Sequence, residues 1–161
     1  MRVATWNVNS IRQRLDHLLT FLKEAEPDAL CLQEIKTQDE GFPRLEIEAA
    51  GYHVETHGQK TFNGVAILSK ARLEDVRRGL PGDPADEQAR YLEGLLPMGT
   101  RMVRVASIYL PNGNPVGTEK YPYKLGWMQR LKEHASSLLT NEEPLIPVSY
   151  THLTLPTNRE V

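Results

Sequence analysis

Apolar residues recur at two different spacings along the first part of the chain. A mostly apolar run at 2–8 is followed by apolar positions three or four apart at 11–25, and then by a second apolar run at 28–33. Short apolar runs indicate buried strands, whereas the wider spacing indicates an amphipathic helix. We therefore predict a strand, helix, strand unit in which a right-handed crossover returns the second strand parallel to the first.

The predicted helix carries its own start and stop signals. Ser10 followed three residues later by Gln13 is typical of a capping box, and Pro27 ends the helix. Its predicted apolar face consists of Ile11, Leu15, Leu18, Leu22 and Ala25.

The remainder of the chain alternates strand and turn signals. A short helix is predicted at 44–50, and a long one at 121–140. Strands are predicted at 52–57, 64–69, 73–78, 91–96 and 101–110. Pro- and Gly-rich turns separate the later strands, which indicates an antiparallel meander. The predicted apolar face of the long helix consists of Leu125, Met128, Leu131, Ala135, Leu138 and Leu139.

Polar side chains follow the first two predicted strands. Asn7 and Glu34 would emerge at the same sheet edge, because parallel strands end on the same side. An amide oxygen and a carboxylate suit Mg²⁺, which takes few protein ligands and keeps water or phosphate on its other positions. Taken alone, the two residues favour a structural interpretation, with Asn7 capping the helix and Glu34 solvated.

Four segments, in this order, carry a resemblance to a known family. They are Asn-Val-Asn-Ser-Ile-Arg at 7–12, Leu-Gln-Glu at 32–34, Arg-Arg-Gly-Leu-Pro-Gly-Asp at 77–83 and Tyr-Leu-Pro-Asn-Gly at 109–113. Over about residues 1–146 the chain resembles the exonuclease III family of DNA repair nucleases. The Gln-Glu strand occurs across the wider endonuclease, exonuclease and phosphatase superfamily, whereas the last two segments point to its nuclease branch.

The resemblance implies an α/β (α+β) fold, the four-layer αββα sandwich of the DNase I-like kind, of which we expect only the first sheet and its helices here. Residues 1–146 would be the N-terminal part of a nuclease domain. The family's later Gly-Asp-x-Asn motif and Asp-His pair are not present in the sequence. Residues 147–161 resemble translated adapter sequence, and we expect them to be a non-native tail. The alternative is a divergent C-terminal strand.

The resemblance also assigns roles to individual residues. Asn7 and Glu34 match metal-binding positions, and the expected cofactor is Mg²⁺, with Mn²⁺ as the alternative. Tyr109 matches the active-site tyrosine, although a Tyr at a strand end is often only a packed aromatic. Asn112 matches a phosphate-contacting amide, although a Pro-Asn-Gly turn favours Asn for its backbone alone.

Three cations are candidate DNA contacts. Arg12 and Lys36 flank the two metal-binding motifs, and Arg90 is a further candidate. Such side chains would hold phosphates without reading the base sequence. The alternative for each is a solvated surface cation.

The implied function is metal-dependent hydrolysis of DNA phosphodiesters, as a 3′-to-5′ exodeoxyribonuclease and abasic-site endonuclease. The expected partners are double-stranded DNA, abasic sites and 3′ ends, and we expect a monomer. The resemblance implies a water-activating aspartate and a histidine partner in the family, and no residue of this sequence matches either of them. We therefore expect this chain to be inactive alone. Two alternatives stay open, namely a metal-dependent phosphoesterase acting on small phosphorylated molecules and an inert fragment.

Composition does little to choose among the nuclease, the small-molecule phosphoesterase and the inert fragment. The chain has 161 residues, 40% of them hydrophobic, and a formal net charge of −2, so any nucleic-acid affinity must come from a local patch or a bridging metal. No run approaches the ~20 apolar residues that span a bilayer, and Met1 leads straight into a strand, which predicts a cytoplasmic protein with no membrane contact. Cys31 is the only cysteine and is expected to be a small buried side chain.

Overall fold

The computed structural model describes residues 1–150, and these form two four-stranded sheets packed face to face. The strands are β1 (Val3–Asn7), β2 (Ala29–Gln33), β3 (His53–His57), β4 (Val65–Ser69), β5 (Glu74–Arg78), β6 (Tyr91–Met98), β7 (Arg101–Ile108) and β8 (Leu145–Val148). The helices are α1 (Ile11–Ala25), α2 (Arg44–Ala49) and α3 (Lys120–Leu139), and a single 3-10 turn lies at Asp39–Gly41. The predicted α/β class and DNase I-like sandwich are confirmed.

The first sheet has the strand order β1-β2-β4-β3 and contains the predicted strand, helix, strand unit. β1 and β2 pair in parallel, and α1 buries Ile11, Leu18 and Leu22 against them. The predicted capping box is wrong, because Ser10 has a positive φ of 88° and makes no side-chain cap bond. The first helical N–H, that of Ile11, donates instead to the carbonyl oxygen of Ile35 at 3.1 Å.

The second sheet has the order β5-β6-β7-β8, so the expectation that the chain encodes only one sheet is wrong. The meander of β5, β6 and β7 is antiparallel, as predicted, but it folds back over the first sheet. Apolar residues of both sheets meet in one cluster, Val65 and Ile67 from β4 against Leu92 and Val105. Every residue of β4 is buried because the strand has the other sheet on one face and helix-covered core on the other.

Helix α3 packs on the outer face of the second sheet through a side that matches the predicted one in part, since Leu138 is buried and Leu131 packs against the cluster as predicted. Trp127 and His134 are buried, whereas the predicted Met128 and Leu139 are 44% and 63% exposed. The sequence pattern is ambiguous here because apolar residues occur all around the helix. The packing is set by Trp127, which joins a cluster with Tyr91, and by the hydrogen bond of His134 to Glu93.

A buried ionic network ties α3 and three strands together. The Glu93 side chain is fully buried and accepts a hydrogen bond from the hydroxyl of Tyr91 at 2.5 Å. The guanidinium groups of Arg104 and Arg77 each lie 3.6 Å from its other oxygen. A buried carboxylate is tolerated only when it is compensated in this way.

Strand β8 crosses the sequence boundary predicted at residue 146. Pro147 and Val148 pair in parallel with β7, and Val148 packs against the core between the sheets. Residues 147 and 148 therefore continue an edge strand, and the origin of the tail stays a prediction, since 151–161 lie outside the described residues. No helix within residues 1–150 is long and apolar enough to cross a membrane.

Candidate active site

Three strands from the two sheets end at one rim of the sandwich. Asn7 is the last residue of β1, Glu34 follows β2 directly, and Tyr109 follows β7. The Asn7 Nδ2 donates a hydrogen bond to Glu34 Oε1 at 2.8 Å, and the Tyr109 hydroxyl donates to the same oxygen at 2.9 Å. A single carboxylate oxygen thus joins the three residues that the sequence singled out. Their proposed roles stay predictions.

The backbone around Glu34 is held in an unusual conformation. Glu34 and Lys36 both have positive φ angles, 53° and 52°, which L-residues other than Gly adopt at a cost. Backbone hydrogen bonds hold the segment in place, since the Ile35 N–H donates to the Gly64 carbonyl and the Ser10 N–H donates to the Glu34 carbonyl. This conformation turns the Glu34 side chain out of the strand towards Asn7 and Tyr109.

The surroundings of Glu34 favour its charged form. Partial burial by itself raises the pKa of Glu34, but hydrogen bonds from Asn7, Tyr109 and Lys36, with the charge of Lys36, lower this pKa below its ordinary value. Burial and the hydrogen bond to Glu34 raise the pKa of Tyr109 well above that of a free phenol. The site therefore combines a carboxylate with a phenol that stays protonated at neutral pH and can donate a hydrogen bond.

Of the predicted DNA-binding cations, Lys36 lies beside Glu34, whereas Arg12 lies away from the site. Lys36 Nζ lies 3.3 Å from Glu34 Oε2 and also donates to Asn9, so its charge is largely directed at the carboxylate. Arg12 is exposed and reaches the carbonyl of Gly41 at the 3-10 turn. Among the described residues, Arg12 makes no hydrogen bond or ion pair to the Asn7–Glu34–Tyr109 cluster.

Arg90 is packed directly against the site. Its guanidinium carbon lies 4.9 Å from the centre of the Tyr109 ring and 5.9 Å from that of Tyr123. The Arg90 Nε donates to Gln88 Oε1 at 2.7 Å, and the Tyr123 hydroxyl donates to Asp86 at 2.9 Å. The cation is therefore held between two aromatic rings, an arrangement typically worth ~0.5–2 kcal/mol.

An open cleft of about 840 Å³ runs past Tyr109 and Arg90. Asn112 lies in its wall, and the Asn112 Oδ1 accepts a hydrogen bond from the backbone of Asn114 at 3.0 Å, so its amide also supports the turn. Seven residues of the wall were not assigned to the site from the sequence, and they are Gln59, Phe62, Asn63, Gln88, Glu119, Lys120 and Tyr123. The exposed Phe62, in a polar loop two residues before Gly64, is the one signal that could have indicated part of this wall.

The donor set at the rim fits a hydrated divalent cation. Asn7 and Glu34 place an amide and an anionic carboxylate side by side, which suits an ion that keeps most of its water. The Asn7 Oδ1, which now accepts a hydrogen bond from the Asn9 N–H while Nδ2 faces Glu34, would be the amide ligand. Among residues 1–150, no group of three or more His, Cys, Asp or Glu side chains could hold a metal. A metal that needs a full set of protein ligands, such as structural Zn²⁺, is therefore not supported by the described residues.

Comparisons with known proteins agree with this architecture. The model of the Endonuclease/Exonuclease/phosphatase family matches residues 4–146. Exodeoxyribonuclease III of Haemophilus influenzae is 34% identical over 147 residues, which cover 91% of this chain and 55% of that protein. The chain therefore spans about half the length of the curated relatives it matches.

Two solved structures extend the likeness to the fold. A 3′ phosphatase from Neisseria, solved with a product DNA hairpin, superposes with a TM-score of 0.88 at 36% identity, covering 92% of this chain and 56% of that one. An AP endonuclease from Archaeoglobus fulgidus superposes with a TM-score of 0.73 at 43% identity, covering 81% of this chain and 49% of that one. Both sheets of the described residues thus have counterparts in nucleic-acid enzymes.

Proposed function

The chain belongs to the endonuclease/exonuclease/phosphatase family. We propose that it is part of a DNA repair nuclease, which hydrolyses phosphodiesters at 3′ ends and beside abasic sites. The observation that carries the proposal is the carboxylate of Glu34, which accepts hydrogen bonds from Asn7 and from Tyr109, and Tyr109 lies in the wall of an open cleft. The expected substrate is double-stranded DNA. The names of the relatives support this choice.

Asn7 and Glu34 would hold Mg²⁺, with Mn²⁺ as the alternative. A divalent cation bound there supplies charge neutralisation at a phosphate oxygen and stabilises the leaving alkoxide. The lowered pKa of Glu34 keeps the ligand anionic at neutral pH, since burial is outweighed by the hydrogen bonds from Asn7, Tyr109 and Lys36. Lys36 lies close enough to lend charge to the same region.

Tyr109 and Arg90 would act on the phosphate directly. The phenol of Tyr109 stays protonated because its pKa is raised by burial and by Glu34, and its one O–H, which now donates to Glu34, would turn to donate to a phosphate oxygen when substrate binds. Arg90, held over the Tyr109 ring, offers a fixed cation at the cleft wall. Lys120 lines the same cleft and adds a second positive charge for a flanking phosphate.

The open shape of the cleft favours a polymer over a small phosphoester. The cleft is open to solvent, with Gln59 and Lys120 among its lining residues, whereas pockets for small ligands enclose most of the ligand. A small phosphomonoester, p-nitrophenyl phosphate, is therefore the appropriate comparison substrate. Turnover of this compound equal to that of DNA would favour the small-molecule phosphoesterase.

The proposal is tested with a duplex oligonucleotide that carries one abasic site. We expect the 161-residue chain alone to give no chelator-sensitive incision, because the resemblance assigns the water-activating base to a motif that its sequence does not contain. General-base catalysis contributes ~10²–10⁴-fold. Residues 1–146 joined to the C-terminal remainder of the Haemophilus influenzae relative should incise the abasic strand in the presence of Mg²⁺.

Glu34→Ala in this chimera should abolish incision. The matched control is Glu48→Ala, which removes an exposed carboxylate paired with Arg44 outside the site and should retain full incision. An active Glu34→Ala chimera, or chelator-sensitive incision by the 161-residue chain itself, would contradict the proposal.

A further inference from the structure

A buried polar triad lies directly behind the candidate active site. Gln33 Nε2 donates to the Thr5 hydroxyl at 3.1 Å and to the Ser107 hydroxyl at 3.3 Å. The Ser107 hydroxyl in turn donates to the Leu32 carbonyl at 3.0 Å. Gln33 and Ser107 are fully buried and Thr5 is half-buried, so the hydrogen bonds of Ser107 are shielded from water.

The triad bridges the two sheets at a place where the neighbouring core is apolar. Thr5 and Gln33 belong to the first sheet and Ser107 to the second, while Cys31, Val65 and Val105 fill the surrounding inter-sheet space. Apolar contacts alone tolerate small sliding movements of one sheet over the other. Hydrogen bonds are directional, and leaving one of these buried groups unpaired costs ~1–3 kcal/mol, so the triad penalises such sliding.

Each member of the triad lies just before a residue of the site on the same strand. Asn7 comes two residues after Thr5, Glu34 comes one residue after Gln33, and Tyr109 comes two residues after Ser107. A shift between β2 and β7 would therefore be transmitted directly to the distance between Glu34 and Tyr109, which is now one hydrogen bond of 2.9 Å.

We propose that Thr5, Gln33 and Ser107 are positioning residues that set the spacing of Asn7, Glu34 and Tyr109 and thereby the metal affinity of the rim. The part of this inference that concerns metal rests on the proposed function. Mutating a residue that orients a metal ligand without touching the metal typically weakens metal affinity by ~10–100-fold. The triad acts through the strands, since within the described residues its side chains bond to one another and to the carbonyls of Leu32 and Ser149, and not to the side chains of the site.

The test compares two buried serines. Ser107→Ala removes a hydroxyl of the triad, whereas Ser69→Ala removes a buried hydroxyl that has no hydrogen-bond partner among the described residues. Each variant is prepared in the full 161-residue chain. The first readout is the NMR signal of the Asn7 side-chain amide without metal, and the second is Mn²⁺ affinity by electron paramagnetic resonance of the free ion.

We expect Ser107→Ala to shift the Asn7 amide signal and to weaken Mn²⁺ binding about 10-fold, at a temperature where thermal unfolding shows the variant to be folded. Ser69→Ala should do neither. Ser107→Thr keeps a hydroxyl and should restore both readouts. Gln33→Met, of similar size, is a second variant should Ser107→Ala not fold.

Two results separate the triad from the metal site. If Glu34→Ala leaves Mn²⁺ affinity unchanged, the metal site of the proposed function is wrong, and the metal-free Asn7 signal alone decides whether the triad positions the site. If Glu34→Ala removes Mn²⁺ binding while Ser107→Ala and Gln33→Met behave like Ser69→Ala in both readouts, the positioning role is overturned and the metal site stands.

Discussion

Gly64 lies against the segment that carries Glu34, and replacing it with alanine tests the packing there. Gly64 has a φ of +90°, and a Cβ at this position would lie 2.5 Å from Ile35 Cγ1 and 3.3 Å from Ile35 Cδ1. The left-handed conformation costs an L-residue ~1–2 kcal/mol. Forcing an extra carbon into a packed core costs a further ~1–3 kcal/mol.

The expected loss for Gly64→Ala is therefore ~2–5 kcal/mol. This is a large part of the ~5–15 kcal/mol by which a typical domain is stable. Gly51→Ala is the matched control, because Gly51 has the same φ of +90° and nothing lies within 4 Å of its Cβ position. It should lose only the conformational part, ~1–2 kcal/mol.

The measurement is urea unfolding of both variants, followed by circular dichroism. The difference between the two losses isolates the contact with Ile35 and should exceed ~1 kcal/mol. Equal losses would refute the reasoning, because they would mean that Ile35 moves aside freely and that the loop after β2 is not held by packing.

Three further outcomes are expected. Arg104→Met should lower the free energy of unfolding by ~3–5 kcal/mol, because it removes a principal charge partner of the buried Glu93, and a loss below ~1 kcal/mol in urea unfolding would contradict the network. The pKa values of Glu34 and Asp86 are lowered, in each case because hydrogen bonds outweigh burial, so their stabilisation is complete above the ordinary carboxyl range near pH ~4 and is lost as the pH falls through the lowered values. Unfolding at a series of pH values should show this decline, and Asp86→Asn should flatten it. Burial raises the pKa of Cys31 to about 12, so its thiol should resist a thiol-specific reagent at pH ~8 in the native chain and react in urea, and equally fast labelling in both would contradict its burial.

Much of the fold follows from local patterns in the sequence. The spacing of Ile11, Leu18 and Leu22 defines α1, and β1 to β7 differ from the predicted ranges by only a few residues at each end, whereas no range was predicted for β8. What the sequence did not reveal is the assignment of strands to sheets. The meander of β5 to β7 has the same alternation whether it extends the first sheet or covers it, and only long-range packing decides between the two.

The site was predictable in part for a similar reason. Asn7 and Glu34 lie at the ends of parallel neighbours, so local reasoning brings them together, whereas Tyr109 joins them across 75 residues and two sheets. Its position was implied by the motif resemblance alone. The contacts of Arg90 with Tyr123, and of Gln33 with Ser107, depend on how α3 and the second sheet are placed, and the spacing of residues does not encode this.

Glu34 combines a costly backbone conformation with the carboxylate at the centre of the candidate site. Glycine adopts a φ of 53° without the penalty that glutamate incurs there, so Glu34→Gly would relieve backbone strain of ~1–2 kcal/mol while deleting the central carboxylate. The same substitution also removes the hydrogen bonds that the carboxylate accepts from Asn7 and Tyr109 and its ion pair with Lys36. At position 34, glycine would therefore exchange backbone strain for two polar groups left without their partner, and one substitution cannot both relax the backbone and keep the site.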